Sequence, residues 1–157
     1  MGVFNVLFYI WLAKTPSFES YLHFNAEICA RLLGWLGEQA TAEGTTIRSP
    51  RFPLEIRHGC DAIQPSAFFV FAMLATPAPP VLVAKIPAIL AGTAVLLLLN
   101  LVRILTLYYT GVHYRALFDT MHIDVWQALF VFFPLFLWVM WARRAMGRRV
   151  APAEPHA

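Results

Sequence analysis

The chain has 157 residues with a formal net charge of +3, and 59% of them are apolar against 13% charged. A soluble domain of this length has too small an interior to hide so much apolar surface, so the composition excludes an ordinary water-soluble fold and points to a bilayer as the solvent. The modest charge of +3 does not point to nucleic acid, and none is expected as a partner. The basic residues gather instead near the C-terminal end, at Arg143, Arg144, Arg148 and Arg149, where they read as a membrane anchor.

In chain order, residues 3–13 form an apolar run without a positive n-region or a small-residue cleavage site. The run reads as a retained membrane segment rather than a cleaved signal, though it falls short of the roughly 20 residues of a full crossing. Over 18–36, Phe18, Tyr21, Leu22, Ile28, Cys29, Leu32, Leu33 and Leu36 recur at helical spacing opposite Glu19, His23, Glu27 and Arg31. That pattern predicts an amphipathic helix lying in the membrane interface. The polar stretch 38–59 contains "TTIRS" and "LEIRH", two alternating segments about a proline-bearing turn, which predict a short β-hairpin in water.

Residues 62–77 read as a span that ends at Pro77, Pro79 and Pro80, and 86–110 read as a longer one. Residues 111–121 read as a short polar loop, and 122–142 as the last span, with Trp126, Trp138 and Trp141 as interface anchors. The fold expected is an all-α integral membrane protein with about four transmembrane helices, an interfacial amphipathic helix and a short extracytoplasmic β-hairpin. Residues 1–145 form a single membrane-embedded domain, and 146–157 a basic, then flexible, cytoplasmic tail. With the arginine-rich end inside, Cys60 and the hairpin fall outside the cell membrane, as does the loop at 111–121.

Three residues then reach one membrane face. Cys60, with Arg57, His58 and Asp61 around it, stands at the polar edge of an apolar run rather than inside it. Arg103 lies in "LLLLNLVRILTLYY", where a charge at mid-bilayer costs about 2.5–3.5 kcal/mol. It follows Lys85 by 18 residues, roughly 27 Å of helix. Asn100, at i−3, shares its face, so the two either line a polar pocket or Arg103 snorkels to the headgroups. His122 heads the last span. A thiol, a guanidinium and an imidazole at one depth suit acyl transfer: the thiolate attacks a carbonyl, the guanidinium steadies the oxyanion, and the imidazole carries the proton to the leaving amine. His58 and His113 are rival bases, Asp61 can cap the following helix while pushing the thiol pKa up, and Cys29 on its apolar stripe reads as packing. No metal or cofactor motif is present; His113 and His122 lack a paired-ligand spacing.

A cysteine at the head of a membrane helix, "NLVRI" in the next helix and a histidine heading the one after together resemble the exosortase/archaeosortase family. The likeness covers about residues 45–142, and the small size and hairpin are similar to the compact exosortase H type. It implies a membrane cysteine protease or transpeptidase of the inner (plasma) membrane, multi-pass, with its active site on the extracytoplasmic side. It needs no cofactor. Its partners would be the lipid bilayer and membrane-anchored proteins with a C-terminal sorting signal, passed through an acyl-enzyme to an acceptor the sequence does not name. Cys60 matches the family's nucleophile, Arg103 and Asn100 its Asn-x-x-Arg segment, and His122 its histidine. Asp61 and Ala62 depart from the family, where a small residue or Asn and then Gly often follow the cysteine. The alternative reading is a small non-enzymatic membrane scaffold or assembly factor whose polar residues only hold helices together.

Overall fold

The computed structural model describes residues 16–56, 60–77 and 82–147. The apolar run at 3–13, Arg57 and His58, and the tail from 148 onward lie outside the described residues. The chain divides into two compact units, Met1–Asp61 with Asn100–Asp124, and Ala62–Leu99 with Val125–Ala157.

The first unit begins with α1 (Pro16–Trp35). Phe18, Leu22, Ala26, Cys29 and Leu33 are buried at three- and four-residue intervals, which is why this stretch is helical. The helix stops at Gly37, whose φ of 90° only glycine adopts cheaply, and Glu38 N–H closes back on Leu33 C=O at 2.9 Å. The amphipathic pattern is as expected, but its apolar stripe is covered by protein: α1 packs on strands β1 (Thr41–Glu43) and β2 (Thr46–Arg48). β3 (Leu54–Glu55) completes an antiparallel sheet of order β1-β2-β3. Thus β2 and β3 form the expected hairpin, and β1 adds a third strand within the polar stretch 38–59. A two-residue turn with Gly44 at φ 59° joins β1 to β2, and His23 Nδ1–H donates to the Gly44 carbonyl at 2.8 Å.

The long helix α3 (Leu82–His113) enters this unit at Asn100. There Asn100, Arg103, Ile104, Leu107, Tyr108 and Gly111 form one buried face. A Cβ on Gly111 would run into the Phe52 ring, so a glycine is what lets the loop before β3 lie against the helix. Tyr108 hydroxyl donates to Glu38 at 3.0 Å and shares a hydrogen bond with Ser49 at 2.7 Å, while Arg51 donates to Glu38 at 2.6 Å. The expected loop at 111–121 is largely helical. α3 runs through His113, a 3-10 turn covers Arg115–Leu117, and a π-helical turn covers Thr120–Val125.

In the second unit α2 (Ile63–Ala75) packs on α4 (Trp126–Gly147). Phe69, Met73 and Leu96 form a buried core flanked by Phe133, Leu137 and Trp141. A side chain at Gly92 would collide with the Phe69 ring, so the two backbones approach closely there. Lys85, 6% exposed, donates to the carbonyls of Met73 at 3.2 Å and Thr76 at 2.7 Å, which closes the C-terminus of α2.

Two helical stretches are long and apolar enough to cross a membrane, Lys85–His113 and Arg115–Met146, with mean hydropathies of 2.2 and 1.8. Their outward faces carry Leu90, Leu98, Val102, Val131, Phe132 and Phe136, all exposed. The span expected at 62–77 is a helix of 13 residues, about 20 Å long, which is short of the roughly 30 Å hydrocarbon core. Among the described residues, two of the roughly four expected crossings are matched by helical stretches of spanning length, and the run at 3–13 lies outside them.

Candidate active site

Cys60 follows the sheet and precedes α2, in an irregular bend. Its Sγ lies 2.9 Å from His122 Nε2, across 62 residues of sequence. The sheet and α1 bring the thiol to this point: the Tyr21 hydroxyl donates to the Asp61 carbonyl at 2.6 Å and so ties the residue after the cysteine to α1. The imidazole arrives on the π-helical turn, and its ring packs against Phe118 with centroids 5.8 Å apart. A π turn carries one residue more than an α turn for the same closure, and such insertions recur at functional sites because they re-aim a side chain.

The site is mostly dry. Cys60 is 9% exposed, Asp61 1%, Asn100 0% and Arg103 6%. Arg103 is therefore enclosed by protein rather than reaching out to headgroups. Burial pushes the Cys60 thiol above its usual pKa; the Arg103 guanidinium pulls it down and the Asp61 carboxylate pushes it up. The balance keeps the resting group a thiol rather than a free thiolate, so a proton acceptor at hydrogen-bond distance is what the chemistry requires. His122 has that position. The Asn100 amide, fully buried, makes no hydrogen bond among the described residues. Such a group costs about 1–3 kcal/mol, and proteins retain it where the polar atoms serve another task.

Cys60 and His122 open into a cavity of about 330 Å³, walled by residues 52–56, by Ile104 and Leu107 of α3, and by Phe118. Of the other candidates, His113 is exposed and stacks on Tyr109 with centroids 6.3 Å apart, and it is not part of this wall. His58 lies outside the described residues. Cys29 is fully buried in the α1 packing, burial pushes its thiol up to about 12, and both cysteines are free. The residue at the N-cap of α2 is Ala62, one beyond Asp61, with a left-handed φ of 58°. Among the described residues, no three His, Cys, Asp or Glu side chains come together as a metal site.

Sequence reasoning missed the π turn and β1. The π turn leaves no local pattern. The Gly44-Thr45 pair between short polar strands was the available signal for β1.

The family model described as transmembrane exosortase matches residues 2–139, a wider stretch than the motifs alone cover. No curated protein and no solved structure matches the chain significantly.

Proposed function

The chain belongs to the transmembrane exosortase family, and from that premise we propose that it is a membrane cysteine transpeptidase or protease acting on exported proteins with a C-terminal sorting signal. The observation that carries this reading is the 2.9 Å approach of Cys60 Sγ to His122 Nε2 beside a cavity open to a peptide. Cys60 is the nucleophile. As its S–C bond forms on the substrate carbonyl, the thiol proton passes to His122 and the carbonyl oxygen becomes an oxyanion. Arg103 stabilises that charge in a site from which water is largely excluded, and Asn100 supports the same face of α3. The C–N bond then breaks, and His122 returns the proton to the departing amine. The thioester left on Cys60 is resolved when an amine or water attacks it, giving its proton to His122 and releasing the thiol.

The enzyme is multi-pass in the plasma membrane with Cys60 on the extracytoplasmic side. Arg143 and Arg144, both exposed at the end of α4, and Arg148 and Arg149 after it favour a cytoplasmic C-terminus. His122, just before α4, then belongs at the outer end of that helix.

The test is co-expression with a tagged protein carrying a C-terminal sorting signal. Cys60→Ala abolishes processing while the variant accumulates in the membrane, and the parent yields a hydroxylamine-sensitive adduct on Cys60. Normal processing by Cys60→Ala would return the chain to the scaffold reading. A membrane-impermeant maleimide modifies Cys60 in intact cells; labelling only in inverted vesicles reverses the topology.

A further inference from the structure

Resting on the acyl-transfer reading above, we propose that the cavity beside Cys60 is a side-chain subsite, and that it selects a bulky apolar residue of the substrate next to the bond that is cut. The cavity opens directly onto the reacting pair, so the segment that presents its carbonyl to Cys60 also presents a neighbouring side chain to this space. Its volume of about 330 Å³ suits a side chain and the adjoining backbone, and is too small for a folded partner.

The lining sets the chemistry. Leu54 and Ile56 come from β3 and the residue after it, Ile104 and Leu107 from α3, and the neighbouring rings of Phe52 and Phe118 add an aromatic wall. Among the described residues of the wall, Glu55 is the one ionisable residue besides Cys60 and His122, and it is exposed, at the solvent edge. A charged or strongly polar side chain would lose its hydration here with nothing to replace it, whereas an aliphatic or aromatic one gains by leaving water.

The space is also held open by built contacts. Phe52 is seated against Gly111, where any side chain would displace it, and its ring lies 5.4 Å from that of Phe118. Ile104 and Leu107 are 2% and 3% exposed, and so are fixed by packing rather than free to collapse inward.

The test needs no known substrate. N-acetyl-aminoacyl chloromethyl ketones bearing Leu, Phe, Gly, Lys or Asp are offered to the full-length protein in detergent, and Cys60 alkylation is followed by mass spectrometry. Each rate is divided by that of iodoacetamide on the same variant, which removes changes in thiol reactivity. The leucyl and phenylalanyl reagents should exceed the glycyl, lysyl and aspartyl ones by about tenfold or more, the worth of burying one such side chain. Leu107→Trp, which fills the cavity, should cut the normalised leucine preference by about fivefold or more. Phe52→Ala, which removes a wall, should shift the preference from leucine toward phenylalanine, and it gives an independent reading if Leu107→Trp fails to accumulate. Equal normalised rates across the parent series, or a leucine preference that neither substitution alters, overturns the subsite. If Cys60 reacts no faster than Cys29 even with iodoacetamide, the nucleophile reading falls and takes the subsite with it.

Discussion

Helix α3 carries two buried cations, Lys85 near one end and Arg103 near the other, each 6% exposed. Burial alone would class them together, yet they face different things. The Lys85 ammonium donates to the Met73 and Thr76 carbonyls and lies 5.8 Å from the centre of the Trp141 ring. Its charge is absorbed by the C-terminal end of α2, where carbonyls converge and a compact donor fits. Arg103 shares a turn with an amide that has no hydrogen bond among the described residues, and its charge acts on the Cys60 thiol. One buried cation completes a helix end; the other lies near enough to the Cys60 thiol to favour its charged form. What a buried charge faces, rather than how deeply it sits, tells structure from chemistry.

The largest expected effect exchanges the two kinds of cation. Arg103→Lys should lower processing by about 10²-fold or more, because an ammonium keeps the charge but lacks the planar fork that holds an oxyanion. Membrane accumulation should stay near that of the parent. Full activity in this variant would make Arg103 a packing charge like Lys85. The converse substitution, Lys85→Met, should destabilise the fold by about 1–3 kcal/mol through the carbonyls left unpaired, which a thermal unfolding midpoint in detergent would report. A stable Lys85→Met protein with impaired processing would erase the distinction.

A smaller effect separates the charges around the thiol. The Asp61 carboxylate holds the Cys60 pKa up, so Asp61→Asn should lower it and move the alkylation profile to lower pH, with a gain of roughly a few-fold at neutral pH. Arg103→Gln should move the profile the opposite way, because the guanidinium favours the thiolate. Profiles that do not move would mean that neither charge reaches the sulfur. The smallest change is at Ala62, whose φ of 58° costs a residue with a Cβ about 1–2 kcal/mol. Ala62→Gly should relieve part of this and raise stability by about 0.5–1 kcal/mol, measured as the same unfolding midpoint. A loss of stability would mean that the left-handed turn carries no strain.

Much of the architecture follows from local pattern. Phe18, Leu22, Cys29 and Leu33 mark α1 by their spacing, and the apolar runs mark α3 and α4. Pro77, the first of the three prolines, stands just past the end of α2. The family resemblance was legible in Cys60, "NLVRI" and His122, and the match over residues 2–139 extends it to nearly the whole chain. The stretch expected as a span over 62–77 is a helix of 13 residues, because it begins after the left-handed Ala62 and ends just before Pro77. The stripe of α1 was legible, but its covering was not: an apolar face has the same periodicity whether lipid or a small sheet lies against it.

The sequence by itself determined the solvent, the helices and the position of a thiol at a polar edge, because composition and periodicity act over a few turns. Only the tertiary structure decided how near that thiol comes to His122, the histidine the family resemblance points to. His113 lies in the stretch that reads as a polar loop, and His122 nine residues on, at the head of the last span. The first ends up stacked on Tyr109, the second 2.9 Å from Cys60. His113 ends α3, whereas His122 is carried on the π-helical turn at Thr120–Val125, whose extra residue changes which way its side chains face. Such a turn is closed by backbone hydrogen bonds that any side chain can accompany, so no local spacing in the sequence records it.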